Sequence, residues 1–156
     1  MHIPILYEDN EVVVVNKPVG LVVHPDGRNK EYTLVDWIHE YYPSIVHAQV
    51  GEPIVQTNGE IIEKPGIVHR IDRETSGVLL ITKTQESFLN IKAQFQARTI
   101  KKNYKTIVQG SFRELHGIID KPIGRSKSDF RRWSAEYGAR GEMRESLTEY
   151  DVLGQG

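Results

Sequence analysis

Val78-Leu79-Leu80-Ile81-Thr82 is a continuous apolar run of strand length, too short for an ordinary helix, and it follows directly on a polar run bounded by Gly66 and Gly77. Such a segment is at ease as a central strand, so the rest of the chain has to supply cover for it. A second β-branched stretch answers to it. Leu6 to Lys17 reads as two strands about an Asp9-Asn10 turn, with Val12 to Val15 crowding the second strand. Pro18 then breaks the pattern and Gly20 permits a turn, after which Leu21-Val22-Val23 is expected as a short strand ending at His24-Pro25. Thr33 is a suitable N-cap for a helix through Leu34, Trp37, Ile38 and Tyr41, stopped by Pro43.

Residues 44–66 carry few periodic signals, but Asn58-Gly59 between Ile54-Val55 and Ile61-Ile62 suggests a small hairpin. Beyond the apolar run, Thr84 caps a predicted helix in which Phe88, Ile91 and Phe95 recur at helical spacing. Lys101 to Val108 alternates imperfectly and predicts a strand with a charged outer face. Leu147 to Leu153 alternates cleanly and predicts a half-buried strand. Strands, a helix and further strands without a regular strand-helix repeat predict an α+β fold with a mixed, mainly antiparallel sheet and flanking helices. At 156 residues the chain has the length of one domain, here taken as 1–156, and its 38% hydrophobic residues suffice for a core.

The absence of cysteine excludes disulfides and thiolate metal sites. No apolar run approaches membrane-spanning length and the start shows no basic region leading into an apolar one, so a cytoplasmic location with no membrane partner is expected by default. The net charge of −1 conceals an asymmetry: residues 1–66 hold 4 basic against 10 acidic side chains, and residues 67–156 hold 16 against 11. Within 92–132 the count is 11 against 3, including Arg98, Lys101, Lys102, Lys105, Arg125, Lys127, Arg131 and Arg132. This stripe suits phosphate binding, and equally a solvated helix and hairpin face.

The chemistry-bearing run is Gly66-Ile67-Val68-His69-Arg70-Ile71-Asp72-Arg73-Glu74-Thr75-Ser76-Gly77. His69, Arg70 and Arg73 favour the ionised form of Asp72, and Thr75, Ser76 and the local backbone are expected to hold its oxygens. A fixed carboxylate ahead of a buried strand is a candidate nucleophile or base. The same residues also suit a strand-entry loop in which Asp72 merely satisfies backbone donors. His24 and His69 have no ligand-spaced neighbours, so no metal is expected. Lys17-Pro18-Val19-Gly20 lacks the glycines and the Gly-Lys-Ser order of a nucleotide phosphate loop. His69-Arg70-Ile71-Asp72 has one residue too many for a kinase catalytic loop. Glycoside hydrolysis needs a second carboxylate about 5–10 Å away, for which only Glu74 is near in sequence.

His69 to Gly77 resembles the His-Arg-Leu-Asp-x-x-Thr-Ser-Gly signature of the RluA-type pseudouridine synthases, with Ile71 in place of leucine. The likeness extends in order along the chain. Ile5 to Asn10 with Val14 to Pro25 is similar to the family's first block, and Gln94-Phe95, Arg98, Lys101, Lys102, Tyr104 and Val108 to its third. Pro122 to Arg125 and Thr148 to Leu153 are similar to later segments. The resemblance implies isomerisation of uridine to pseudouridine in structured RNA, ribosomal or transfer, with no redox step, group donor, cofactor or metal. It implies Asp72 as the catalytic carboxylate and Tyr104 as the tyrosine that lies against the uracil. It implies Arg70 as the arginine that fills the gap left by an extruded uridine, with Arg73, Lys101, Lys102 and Arg125 on the RNA. Without it, Tyr104 would be an aromatic packing on a strand and Arg70 a salt-bridge partner of Glu74 or Asp72. Relatives continue past the Thr-x-Tyr strand into a Thr-Gly-Arg-x-His-Gln-Ile-Arg-like segment that supplies the aspartate's basic partner. The chain is therefore expected to be the larger part of a catalytic domain without a separate N-terminal RNA-binding module. A catalytically silent RNA-binding module or fragment is the alternative.

Overall fold

The structure is a computed structural model describing residues 1–25, 31–55, 59–129, 132–135 and 138–155. The chain divides into two compact units, Met1–Asn103 and Tyr104–Gly156. In the first, β1 (Ile5–Glu8) and β2 (Val12–Lys17) form the expected antiparallel hairpin. The Asp9 carboxylate closes its turn by accepting the N–H groups of Glu11 and Val12, each at 2.8 Å. Register then places Val13, Val15 and Lys17 inward and leaves Val12, Val14 and Asn16 on the other face.

The hairpin at Ile54–Val55 (β3) and Ile61–Ile62 (β4) also forms, while Asn58 of its predicted turn lies outside the described residues. β5 (Gly77–Thr82) pairs antiparallel with β2 from Thr82 against Val12 to Gly77 against Lys17. The sheet order is β1-β2-β5, so the central strand is β2 and not the Val78–Thr82 run. On its other edge β5 has a single bridge, Ile81 to Ile67. Leu79 and Ile81 are still fully buried, because one face of β5 suffices to meet the core.

α1 (Leu34–Tyr41) starts at Thr33 as predicted, with a reciprocal cap. Thr33 Oγ1 accepts the Asp36 N–H at 3.3 Å, and Asp36 Oδ2 accepts the Thr33 N–H at 2.7 Å. The predicted strand at Leu21–Val23 is reduced to one bridge between Val22 and Thr33. The carbonyls of Val22 and Val23 accept the Leu34 and Val35 N–H groups, so this backbone serves the unpaired donors at the helix start. Pro43 does more than stop α1: it stands in the first turn of α2 (Pro43–His47), where its missing N–H costs nothing. α3 (Gln85–Gln96) is capped by Thr84 as predicted, with Phe88 buried. Ile3, Val13, Val15, Leu34, Trp37, Ile38, Ile45, Leu79, Ile81 and Phe88 share one core.

In the second unit, β6 (His116–Asp120) pairs antiparallel with β10 (Leu147–Asp151). β7 (Ile123–Ser126) lies between β8 (Trp133–Ala135) and β9 (Ala139–Arg144), both antiparallel to it. Two expectations need correction here. Lys101 to Val108 is not a strand: no described residue makes ladder bonds to it, and Ile107 is 100% exposed. β10 is a strand but not a half-buried one. Leu147 and Leu153 are exposed, and within β10 only Tyr150 gains cover, its ring lying over Gly117 and against Phe112. With helices in the first unit and antiparallel ladders in both, the fold is α+β. Among the described residues no helix is long and apolar enough to cross a membrane.

Candidate active site

Gly66 opens the chemistry-bearing run and clamps it to β5. Its N–H donates to the Val50 carbonyl at 2.8 Å, and its own carbonyl accepts from the Thr82 N–H at 2.9 Å and Thr82 Oγ1 at 3.1 Å. A Cβ here would sit 2.3 Å from the Thr82 carbonyl oxygen at a φ of +68°, so only glycine fits. From this anchor the chain runs with alternating burial: Ile67 and Ile71 enter the core, while Arg70 and Asp72 emerge. Ile71 thereby holds the backbone immediately before Asp72. The Asp72 carbonyl then accepts the Thr75 N–H at 3.1 Å, closing a turn that delivers the chain into β5.

Lys17 lies beneath this turn. Its side chain is fully buried, and Nζ donates to the carbonyls of Leu21 at 2.7 Å, Pro18 at 3.0 Å and Arg73 at 3.3 Å. The Arg73 carbonyl also accepts the Gly20 N–H at 2.8 Å, so one buried ammonium and one amide tie the 18–21 turn to the Asp72 turn. Burial pushes the Lys17 pKa down, against the opposing pull of the Glu74 and Asp72 carboxylates. In sequence Lys17 stands at the end of the second strand and ahead of Pro18-Val19-Gly20, with no local sign of a buried ammonium. The available signal was register: Lys17 follows Val13 and Val15 on the inward face of β2.

The cations around Asp72 are already engaged. Arg70 Nη1 donates to His24 Nε2 at 3.1 Å, while His24 Nδ1 donates to the Pro25 carbonyl at 3.0 Å, an arrangement that fits neutral His24. Arg73 pairs with Glu31 at 3.1 Å and with Glu74 at 3.7 Å. His69 turns to the strand, its Nε2 accepting the Leu80 N–H at 3.0 Å and its ring stacking on Phe95 at 4.7 Å. Burial, helped by the charge of Lys102, lowers its pKa. The expected hold of Thr75 and Ser76 on the Asp72 oxygens is not made; the backbone carbonyl of Asp72, not its carboxylate, closes the turn. Asp72 is exposed, and no hydrogen bond or ion pair links its carboxylate to any described residue.

The first unit thus brings Asp72, Arg70 and Arg73 together and adds Lys17 and His24. Lys101 and Lys102 are exposed on the irregular segment after α3. Tyr104 and Arg125 belong to the second unit, Tyr104 being 63% exposed on irregular backbone and Arg125 standing on β7. Among the described residues no group of three or more His, Asp or Glu side chains is placed to hold a metal ion.

The pattern of a family described as RNA pseudouridylate synthase matches residues 11–156. An uncharacterized RNA pseudouridine synthase of Aquifex aeolicus is 40% identical over 151 residues, which is 97% of this chain and 43% of that protein. Ribosomal large subunit pseudouridine synthase D of Zymomonas mobilis is 34% identical over 149 residues, 96% of this chain and 43% of that protein. The chain spans less than half the length of these curated relatives. The solved structure of human RNA pseudouridylate synthase domain containing 1 is similar in fold, with a TM-score of 0.68 at 20% identity over 95% of this chain and 51% of that one.

Proposed function

The chain belongs to the RNA pseudouridylate synthase family, and on that premise we propose that it carries the uridine-isomerising centre of an RNA pseudouridine synthase, with Asp72 as the reacting carboxylate. One observation carries the assignment: unlike those of Asp9 and Asp36, the Asp72 carboxylate is unspent among the described residues. Asp9 accepts two backbone N–H groups and Asp36 caps α1, whereas the Asp72 oxygens face solvent above a turn fastened by Lys17 and Ile71. A structural cap would use its oxygens as Asp9 and Asp36 do.

Isomerisation breaks the bond from uracil N1 to the sugar C1′, turns the base and rejoins it through C5; C5 then loses a proton and N1 gains one. A single carboxylate suffices to open this sequence, by attacking C1′ or by removing the proton on C2′. Arg70, oriented by His24, is the group we assign to the space vacated by the uridine, since a guanidinium plane can replace a base in a stack. Tyr104 is assigned to the uracil and to the C5 proton, and Arg73, Lys101, Lys102 and Arg125 to RNA phosphates. The substrate in this reading is structured ribosomal or transfer RNA, and the names of the relatives support a ribosomal one.

Incubating the protein and its Asp72→Asn variant with bulk RNA and mapping pseudouridines tests the assignment. The variant is expected to bind RNA as before and to lose modification by roughly a thousandfold or more. Equal modification by both proteins removes Asp72 from the mechanism, and binding without modification by either makes the chain an RNA-binding module.

A further inference from the structure

β7 alternates cleanly, with Gly124 and Ser126 buried and Arg125 exposed. The buried face is lined by Gly124, Ser126 and Ala139, and a Cβ on Gly124 would meet Met143 Sδ at 2.8 Å and Ala139 Cβ at 3.3 Å, so this side is already covered. The opposite face is not. Register sets Trp133 of β8 directly across from Arg125, and Arg125 directly across from Arg140 of β9, so the three form a row on one face of the sheet. Trp133 is 43% exposed. The Arg125 guanidinium carbon lies 4.5 Å from the centre of its ring and that of Arg144 5.2 Å. No carboxylate among the described residues pairs with Arg125, Arg140 or Arg144.

An exposed indole beneath two guanidiniums that lack counter-charges among the described residues calls for a ligand with both a flat π-face and negative charge. We propose that the Trp133, Arg125, Arg140 and Arg144 face of the β8-β7-β9 sheet is a stacking platform for unpaired nucleotides of an RNA strand. The inference rests on the reading of the chain as an RNA-modifying protein and adds a surface of the second unit that grips single-stranded segments of the substrate. Stacking on the indole or on the guanidinium planes holds the bases, and the free guanidinium edges fork onto phosphates. Paired RNA presents no free base faces, so a duplex engages the arginines alone. An acidic peptide would satisfy the charges but leave the indole unused.

Titration of the full chain with a uridine-rich oligoribonucleotide of about ten residues, long enough to reach across a site of several nucleotides, reads the platform directly. Trp37 is buried, so emission changes report on Trp133. The expected results are quenching on binding, an affinity roughly tenfold lower in Trp133→Ala, and most of that loss restored in Trp133→Phe. For Arg144→Gln the slope of log affinity against log salt is expected to fall by about one. A duplex of the same sequence is expected to bind without quenching and indifferently to Trp133→Ala. Equal single-strand affinity of a folded Trp133→Ala protein, or equal quenching by the duplex or by polyglutamate, overturns the proposal. Asp72→Asn separates the two readings, because it abolishes modification yet leaves quenching intact. Loss of the platform with modification retained sinks only the inference drawn here. Absence of both RNA binding and modification sinks the parent reading with it.

Discussion

Replacing Lys17 by methionine keeps the apolar stem and removes the ammonium from the carbonyls of Pro18, Leu21 and Arg73. Buried acceptors left without a donor are costly, so Lys17→Met is expected to destabilise by about 2 kcal/mol and to lower the melting temperature by roughly 4–8 °C in thermal unfolding. His69 provides a pH-dependent counterpart. Its Nε2 accepts a hydrogen bond only when the ring is neutral, and its folded-state pKa lies below the ordinary 6.5. Its contribution to stability is therefore fully present above pH 6.5 and is lost as pH falls through the lowered folded-state value. NMR titration of the His69 ring is expected to show that lowered midpoint, and His69→Gln to flatten this part of the pH–stability curve. A midpoint at or above 6.5 would contradict the burial argument. At this scale Asp72 was proposed from its neighbours in sequence. Lys17 was not, because its role depends on the Arg73 carbonyl, which lies 56 residues away.

The elements that were legible are those whose signals are local. Thr84 and Thr33 both cap helices as their sequence contexts predict, since a cap needs only the first turn that follows it. Thr84 also reaches beyond its helix: Oγ1 accepts the Ser87 N–H at 3.2 Å and donates to the Glu11 carboxylate at 2.6 Å, fastening α3 to the β1–β2 turn. Thr84→Ala is expected to cost about 1–2 kcal/mol, with Thr84→Ser close to wild type, in denaturant titrations. Strands were legible where two runs could pair, as with β1, β2 and β5. Alternation alone misled at Lys101 to Val108 and in the burial of β10. It describes which faces a segment offers, and nothing in it reports whether a partner or a covering layer is there.

For the whole molecule, the extended core runs from Ile3 to Phe88, entirely within the first unit, whereas among the described residues of the second unit only Gly124, Ser126 and Ala139 are buried. Small ladders without a shared apolar core open easily. Amide hydrogen exchange is therefore expected to be slowest at Val13, Val15, Leu79 and Ile81 and faster by orders of magnitude throughout β6 to β10; uniform protection across both units would refute this. Local signals along the chain were enough for the β1–β2 hairpin and both helix caps, because each rests on residues within a few positions of one another, and the α+β class followed from the order of such elements. Packing in three dimensions settled the rest: β2 is the central strand, a buried Lys17 fastens the Asp72 turn, Arg70 turns to His24, and Trp133 lies beneath two arginines. Those are pairings between distant segments, made when apolar faces seek cover and buried donors seek acceptors, and that selection takes place in space, not along the chain.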